Sequence, residues 1–283
     1  MTDPAPGTLV FVTTPIGNAR DITLRALDVL READVLIAED TRTLRKLLEI
    51  HGIPLNRRPL HAYHDHSGER DRARVVAALA QGHTVAYASE AGTPLIADPG
   101  YALIAAARAL GAKVTAAPGV SAAIAALSLA GLPTDQFFFA GFLPSSKGAR
   151  RKVLRQLANQ PGTLVVYESP NRIAKCLADM AEIFGPDRSA ALCRELTKKF
   201  EEVAFDTLEA LRDRAETSTW KGEMVLLVGA GEPETPQAED LDAALRGALA
   251  EMSMKDAVVA VTGATGLPRR TVYQRALELL SNE

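Results

Sequence analysis

The stretch HTVAYASEAGTPLIADPG, His83 to Gly100, opens as a buried strand and gives up that character within seven residues. Val85 to Ala88 form the unbroken apolar run of a strand covered on both faces, the habit of parallel sheets. Ser89-Glu90-Ala91-Gly92-Thr93-Pro94 then turns, Leu95-Ile96-Ala97 reads as extended again, and Asp98-Pro99-Gly100 breaks a second time. Proline removes a backbone donor and glycine admits conformations that other residues avoid, so two turns in succession forfeit ladder hydrogen bonds. Two carboxylates, Glu90 and Asp98, sit in those breaks. Ligands of open α/β sheets bind outside the carboxyl ends of the strands, so this stretch predicts a parallel sheet with a ligand-facing loop.

The same pattern repeats outward from it. TLVFVTT (8–14) and ADVLIAE (33–39) are apolar runs, followed by helical periodicity from Asp21 to about Arg31 and near 41–50. LHAY, a helix over 69–80, a helix over 98–110, AKVTAAP and an alanine-rich helix after Gly119 complete a first half to about residue 133. Strands alternating with helices predict a parallel sheet with both faces covered. From 134 to 230 the texture changes: FFFAGFLP, GTLVVYES, RSAALCREL, an alternating KFEEVAFDT that reads as an edge strand, and GEMVLLVGA that reads as a central one. A helix over 170–183 and a basic helix SSKGARRKVLRQLANQ complete this mixed second domain. GAGEPETPQAED (229–240) is a linker by composition, and 231–283 carries three helical segments, the last two around a Gly-Leu-Pro turn with helix-turn-helix spacing.

Composition narrows the function. The 283 residues are 47% apolar and 24% charged with a net charge of −3, an ordinary globular balance without a global field for nucleic acid. Cys176 and Cys193 fall in apolar segments and read as buried thiols. MTDPAPGTLVFVTT lacks a basic start and a long apolar core, which predicts no signal peptide and a cytoplasmic protein. Neither G-x-G-x-x-G after the first strand nor G-x-x-x-x-G-K-[ST] occurs, and H-E-x-x-H, C-x-x-C and G-x-S-x-G are absent too. What remains is a set of loops at strand ends: TPIGN, EDTR, SEAGTP, APGVSAA, GFLPSSK and ELTKK.

In their order those loops, with VTTPIGNARDITLRALDVLREADVLIAEDTR, PGVSAAIAALSLAGL, RELTKKFEE and KGEMVLLVG, resemble the tetrapyrrole-methylase-like (class III) methyltransferases over residues 8–230. Within that family the chain resembles the branch that modifies ribosomal RNA. The resemblance implies a two-domain α/β fold with a cofactor cleft between the domains, S-adenosyl-L-methionine as methyl donor, and a homodimer. It implies 2′-O-methylation of a cytidine in the decoding region of 16S rRNA. It also implies that the cofactor lies on Ser89, Glu90, Ala91, Gly92, Thr93 and Pro94, with Ser121, Ala122, Phe142, Leu143, Gly222, Glu223 and Met224 around it. Pro15 and Gly17 join that set, and Glu90 stands where the family pattern has aspartate. Two other readings stay open: a methyltransferase of the same class acting on a small tetrapyrrole, and a non-catalytic RNA-binding or assembly protein.

Four strand-end residues are candidate acid–base groups: Lys198, Asp40, Glu195 and Asp98. Each reads equally as a helix cap or an ion-pair partner, Asp98 before Pro99 above all. Lys147, Arg150, Arg151, Lys152 and Arg155 make a helix without an acid of its own, a solvated face or a phosphate-binding one. Lys147, Arg150 and Arg151 are the expected RNA contacts there, with Arg269 and Arg270 in the tail beside Lys255 and Arg275. His61, His64, Asp65 and His66 fit no structural zinc spacing and predict a polar loop at the cleft mouth, with no metal.

Overall fold

The computed structural model describes residues 5–64, 67–98, 100–231 and 238–281. Strands β1 (Thr8–Val12), β2 (Val35–Ala38), β3 (Leu60–Ala62), β4 (Thr84–Ala88) and β5 (Lys113–Ala117) make a parallel sheet in the order β3-β2-β4-β1-β5. Central β1 shows why these strands are apolar throughout. Leu9 and Phe11 enter a core with Tyr87 and Leu103 on one face, while Val10 and Val12 enter a core with Leu30 and Leu44 on the other. Each such side chain contributes about 1.5–3 kcal/mol on burial.

Helices α1 (Leu24–Glu32), α2 (Thr41–Ile50), α3 (Glu69–Ala80), α4 (Tyr101–Ala109) and α5 (Ala122–Leu129) follow these strands in turn. α1 starts later than the periodicity predicts. Asn18 caps a short 3-10 turn over Ala19–Asp21, and the helix begins only after Thr23, whose hydroxyl accepts from Ala26 N. Leu95-Ile96-Ala97 is not extended but turns, with φ of 72° at Leu95 and 64° at Ala97. α4 is capped by Gly100 at φ 128°, not by Asp98.

The second sheet has the order β6-β7-β10-β8-β9, with β6 (Phe137–Phe142) parallel to β7 (Thr163–Glu168) and the remaining pairs antiparallel. β7 and β8 (Ser189–Arg194) flank central β10 (Met224–Val228), whose five residues are all buried, and β9 (Glu202–Thr207) pairs with β8 at the edge. Helices α6 (Lys147–Leu157), α7 (Ile173–Phe184) and α8 (Leu208–Thr217) cover one face. The other face packs Val165, Cys193 and Leu227 against Ala123, Ala126 and Leu127 of α5. A helix that follows the first sheet in sequence thus covers the second, and the chain up to Ala230 is one compact unit.

The helices α9 (Ala238–Glu251), α10 (Met254–Thr265) and α11 (Arg269–Ser281) form a separate unit around Leu245, Val258, Val261, Val272 and Ala276. Gly266, at φ 68°, closes α10. Residues 232–237 of the expected linker lie outside the described residues.

Candidate active site

β1 and β4 are neighbours, yet the chain leaves β1 for β2 toward one edge and leaves β4 for β5 toward the other. Such a switch point opens a crevice at the strand ends. The two loops there are stitched together. Thr14 N donates to Gly92 O at 3.1 Å and Gly92 N to Thr14 O at 3.0 Å. Ser89 Oγ donates to Gly92 O at 2.5 Å, and Thr93 Oγ1 to Val120 O at 3.0 Å. Gly92 has φ 78°, and a Cβ there would lie 3.1 Å from Ile16 Cγ2. The hydrogen bonds missing from the sheet are therefore remade between loops, which fixes the loop backbone facing the crevice.

The opposite wall comes from the second sheet. After β8, Glu195 and Thr197 adopt φ of 51° and 66°. Non-glycine residues in such regions cost roughly 1–3 kcal/mol each and persist only where their surroundings over-determine them. Here Glu195 N donates to Glu223 O at 2.9 Å, and Glu223 N to Glu195 Oε1 at 3.1 Å. Lys198 Nζ donates to Glu195 Oε1 and Glu223 Oε2, both at 2.8 Å. Asn18 N donates to Thr197 Oγ1 at 3.0 Å, tying this wall to the first loop. Gly222, at φ 88°, leaves room for the Glu195 carboxylate that any Cβ would overlap. Trp220, two residues earlier, packs beside Arg194 and Arg214, whose guanidinium carbons stand 5.9 and 5.5 Å from its ring centre and which both pair with Glu202.

Between these walls and α2 is a cleft of about 740 Å³, within the usual range for small-molecule sites. Ile16, Leu47, Ile96, Phe142, Met224 and Val225 supply apolar surface. Glu39, Glu90, Asp98 and Glu223 line it together with Lys46 and Lys198. Glu168 also borders the cleft, but its fully buried carboxylate pairs with Arg172 at 3.1 Å. The described lining is therefore acidic overall, and low-dielectric walls focus that field onto whatever enters. Burial opposes the charge of Lys198, but the hydrogen bonds to Glu195 and Glu223 outweigh it and raise its pKa. Glu195 is lowered, chiefly by that same bond to Lys198.

Residues 8–212 match the family of Tetrapyrrole (Corrin/Porphyrin) Methylases. The chain belongs to the tetrapyrrole methylase family. Residues 235–280 match a second family, the RsmI C-terminal HTH domain. The ribosomal RNA small subunit methyltransferase I of Mesorhizobium japonicum is 46% identical over 98% of this chain and 93% of its own length. The protein of that name from Pseudomonas aeruginosa is 43% identical over 96% of this chain and 97% of its own. A crystal structure of uroporphyrin-III C-methyltransferase from Thermus thermophilus, complexed with S-adenyl homocysteine, shares the fold. It covers 79% of this chain and 97% of that one, with a TM-score of 0.57 at 20% identity.

As a tetrapyrrole methylase the chain brings most of the sequence-predicted positions into one place. Pro15, Gly17, Glu90, Ala91, Gly92, Thr93, Ser121, Ala122, Phe142, Gly222, Glu223 and Met224 all line the cleft, with Asp98 and Lys198. Three expected positions do not. Ser89 is buried and spends its hydroxyl on Gly92 O, Pro94 is buried behind the turn, and Leu143 packs into the core beneath α6 and α7. Two acid–base candidates are also displaced. Asp40 caps α2 through Arg42 N and binds the Arg42 side chain, which hold its pKa down at about 2, while Glu195 sits behind Lys198.

The largest correction concerns α6. Arg150 is buried, and its Nε and Nη2 donate to Asp179 Oδ2 at 2.8 and 2.6 Å. Arg151 pairs with Glu182 and Asp179 of the same neighbouring helix. Neither guanidinium is presented to RNA, because α7 supplies the acids that α6 lacks; Lys147 stays exposed. In the second unit Arg269 and Arg270 are exposed, whereas Arg275 holds α11 to α9 through Asp242 at 2.6 and 2.7 Å. Asp65 and His66 lie outside the described residues, and among the described residues no group of three or more His, Cys, Asp or Glu could hold a metal ion.

The sequence reading missed the α2 wall. Thr43, Lys46, Leu47 and Ile50 line the cleft at spacings of three, four and seven, one face of a helix. Tyr167 was missed too: its hydroxyl accepts from Ala123 N at 3.2 Å and so braces the first turn of α5, while burial pushes its pKa up. Among the described residues no helix is long and apolar enough to cross a membrane.

Proposed function

We propose that this chain methylates the 2′-hydroxyl of a cytidine in the decoding region of small-subunit ribosomal RNA, using S-adenosyl-L-methionine, as a cytoplasmic homodimer. The observation that carries the reading is the acidic cleft with backbone-lined loops in a chain whose relatives match both of its units. When bound, S-adenosylmethionine supplies a methyl group already activated on a sulfonium. The residues present fit such a group: four carboxylates line the cleft against two lysines, a field that favours a cationic ligand. The fixed backbone at Ala91–Thr93 and at Ser121–Ala122 offers donors and acceptors to a nucleoside and an amino acid.

This chain's own contribution is mainly position, which supplies roughly 7–11 kcal/mol in such reactions. Lys198 keeps its proton, so it serves as a fixed cation and not as a base. Asp98 is then the sequence candidate, lining the cleft, that we assign to receive the hydroxyl proton. The tetrapyrrole alternative leaves the match at 235–280 without a role. Pairing of two copies is supported by apolar side chains left outside, Ile124 and Leu129 of α5 and Val203 and Phe205 of β9; sedimentation finding only monomers would remove it.

Calorimetric titration of the full chain with S-adenosylmethionine, followed by ribose-methylation mapping of small-subunit rRNA, tests the proposal. Wild type should bind and methylate, Gly92→Val should lose binding, and Asp98→Asn should bind but react roughly 10²–10⁴-fold more slowly. A wild-type protein that binds cofactor yet leaves rRNA unmethylated would refute the RNA reading.

A further inference from the structure

The acidic cleft has a basic rim. Lys46 of α2 lies on one wall, with Arg42 one turn earlier on the same helix and 89% of its side chain exposed beside Asp40. Arg20 follows the cleft-lining Ala19, Lys199 follows Lys198, and Lys221 precedes Gly222. All five are exposed. Among the described residues no carboxylate lies within ion-pair distance of Arg20, Lys46, Lys199 or Lys221. Phe200 is 65% exposed, with the Lys199 ammonium 5.6 Å from its ring centre. Exposed aromatic surface next to unpaired cations is the combination that holds single-stranded nucleic acid: phosphates meet the cations and a base stacks on the ring.

We infer that the rim formed by Arg20, Arg42, Lys46, Lys199 and Lys221, with Phe200 as stacking platform, is the surface on which single-stranded RNA docks. The inference rests on the RNA-methylating reading above and adds where the strand lies. The acidic floor and the basic rim sort the two substrates by charge, since a polyanion is repelled from the floor and held at the edge. A target nucleotide must then leave its neighbours and reach down past the rim. Helix α6 is the weaker candidate for this role, because Arg150 and Arg151 are already spent on Asp179 and Glu182 of α7.

The test is binding of a single-stranded small-subunit rRNA fragment by the full chain across a range of salt concentrations. Lys46→Glu/Lys199→Glu removes one cation from each wall; Lys152→Glu/Arg155→Glu on α6 is the control. The rim variant should lose at least about tenfold in affinity, and its slope of log K against log salt should fall by about 1.4, from ~0.7 per phosphate contact on a single strand. The control should stay within about twofold of wild type. If the charge-reversed protein misfolds, Lys46→Gln/Lys199→Gln should show the same change of slope. Unchanged affinity and slope in the rim variants, or an equal loss in the control, overturns the surface. A wild type that methylates no rRNA while binding RNA through this rim would instead sink the catalytic reading and leave the docking surface standing.

Discussion

Helices α2 and α6 are both short, amphipathic and rich in arginine and lysine, and they meet opposite fates. On α6, Arg150 disappears into the core against Asp179 and Arg151 bridges Asp179 and Glu182, so the helix is fastened to α7 by its charges. On α2, Asp40 engages Arg42 at the cap, while Lys46 stays exposed on the cleft wall. A run of like charges along a chain therefore says little about its role until the acids of neighbouring elements are known. Asp179 and Glu182 lie three residues apart on one face of α7, far from α6 in sequence, and nothing in α6 itself announces them.

The sharpest way to break this contrast is Asp179→Ala. It strands a buried guanidinium, and the expected destabilisation is about 3–5 kcal/mol, read by denaturant unfolding. Replacing both partners with apolar residues, Arg150→Met with Asp179→Leu, should recover most of it. If Asp179→Ala unfolds like wild type, α6 is not fastened as described. Next in size, Glu182→Ala removes only the exposed half of the Arg151 network and should shift stability far less than Asp179→Ala. A shift as large as that of Asp179→Ala would mean the two acids act as one unit. On α2 the effect should be close to nil: Lys46→Ala should change stability by less than about 0.5 kcal/mol in the same assay.

The smallest effect is one of pH. Asp40 has its pKa lowered from 3.8 to about 2 by hydrogen bonds to Arg42. The unfolded chain takes up that proton first as pH falls, so the cap contributes fully above about pH 4 and is lost through pH 2. Amide exchange at the start of α2 should quicken across that window in wild type, and Asp40→Asn should show no such step. A step retained in Asp40→Asn would assign it to another carboxylate.

Much of the fold was legible because it rests on local rules. Continuous apolar runs marked β1, β4 and β10 as buried on both faces, and the alternation in Glu202–Thr207 marked an edge. The cleft was legible through its punctuation: prolines and glycines at strand ends drew attention to Gly17, Gly92 and Gly222, where the backbone needs room or positive φ. α8 was overlooked although Thr207 caps it and Leu208, Leu211 and Ala215 carry its buried face. What stayed hidden was long-range. The burial of Arg150, the partners of Lys198 and the use of α2 as a wall each depend on elements that meet only after folding.

Trp220 gives the molecule an optical handle that needs no label. It is the chain's one tryptophan, with two guanidiniums near its ring and the Gly222–Met224 turn two residues on. Its emission therefore arises from a single place, and guanidinium charge near the indole makes its colour responsive to displacements of that turn. The native protein's emission should therefore shift when the cleft beside that turn is filled, a change a stopped-flow instrument would read without a label.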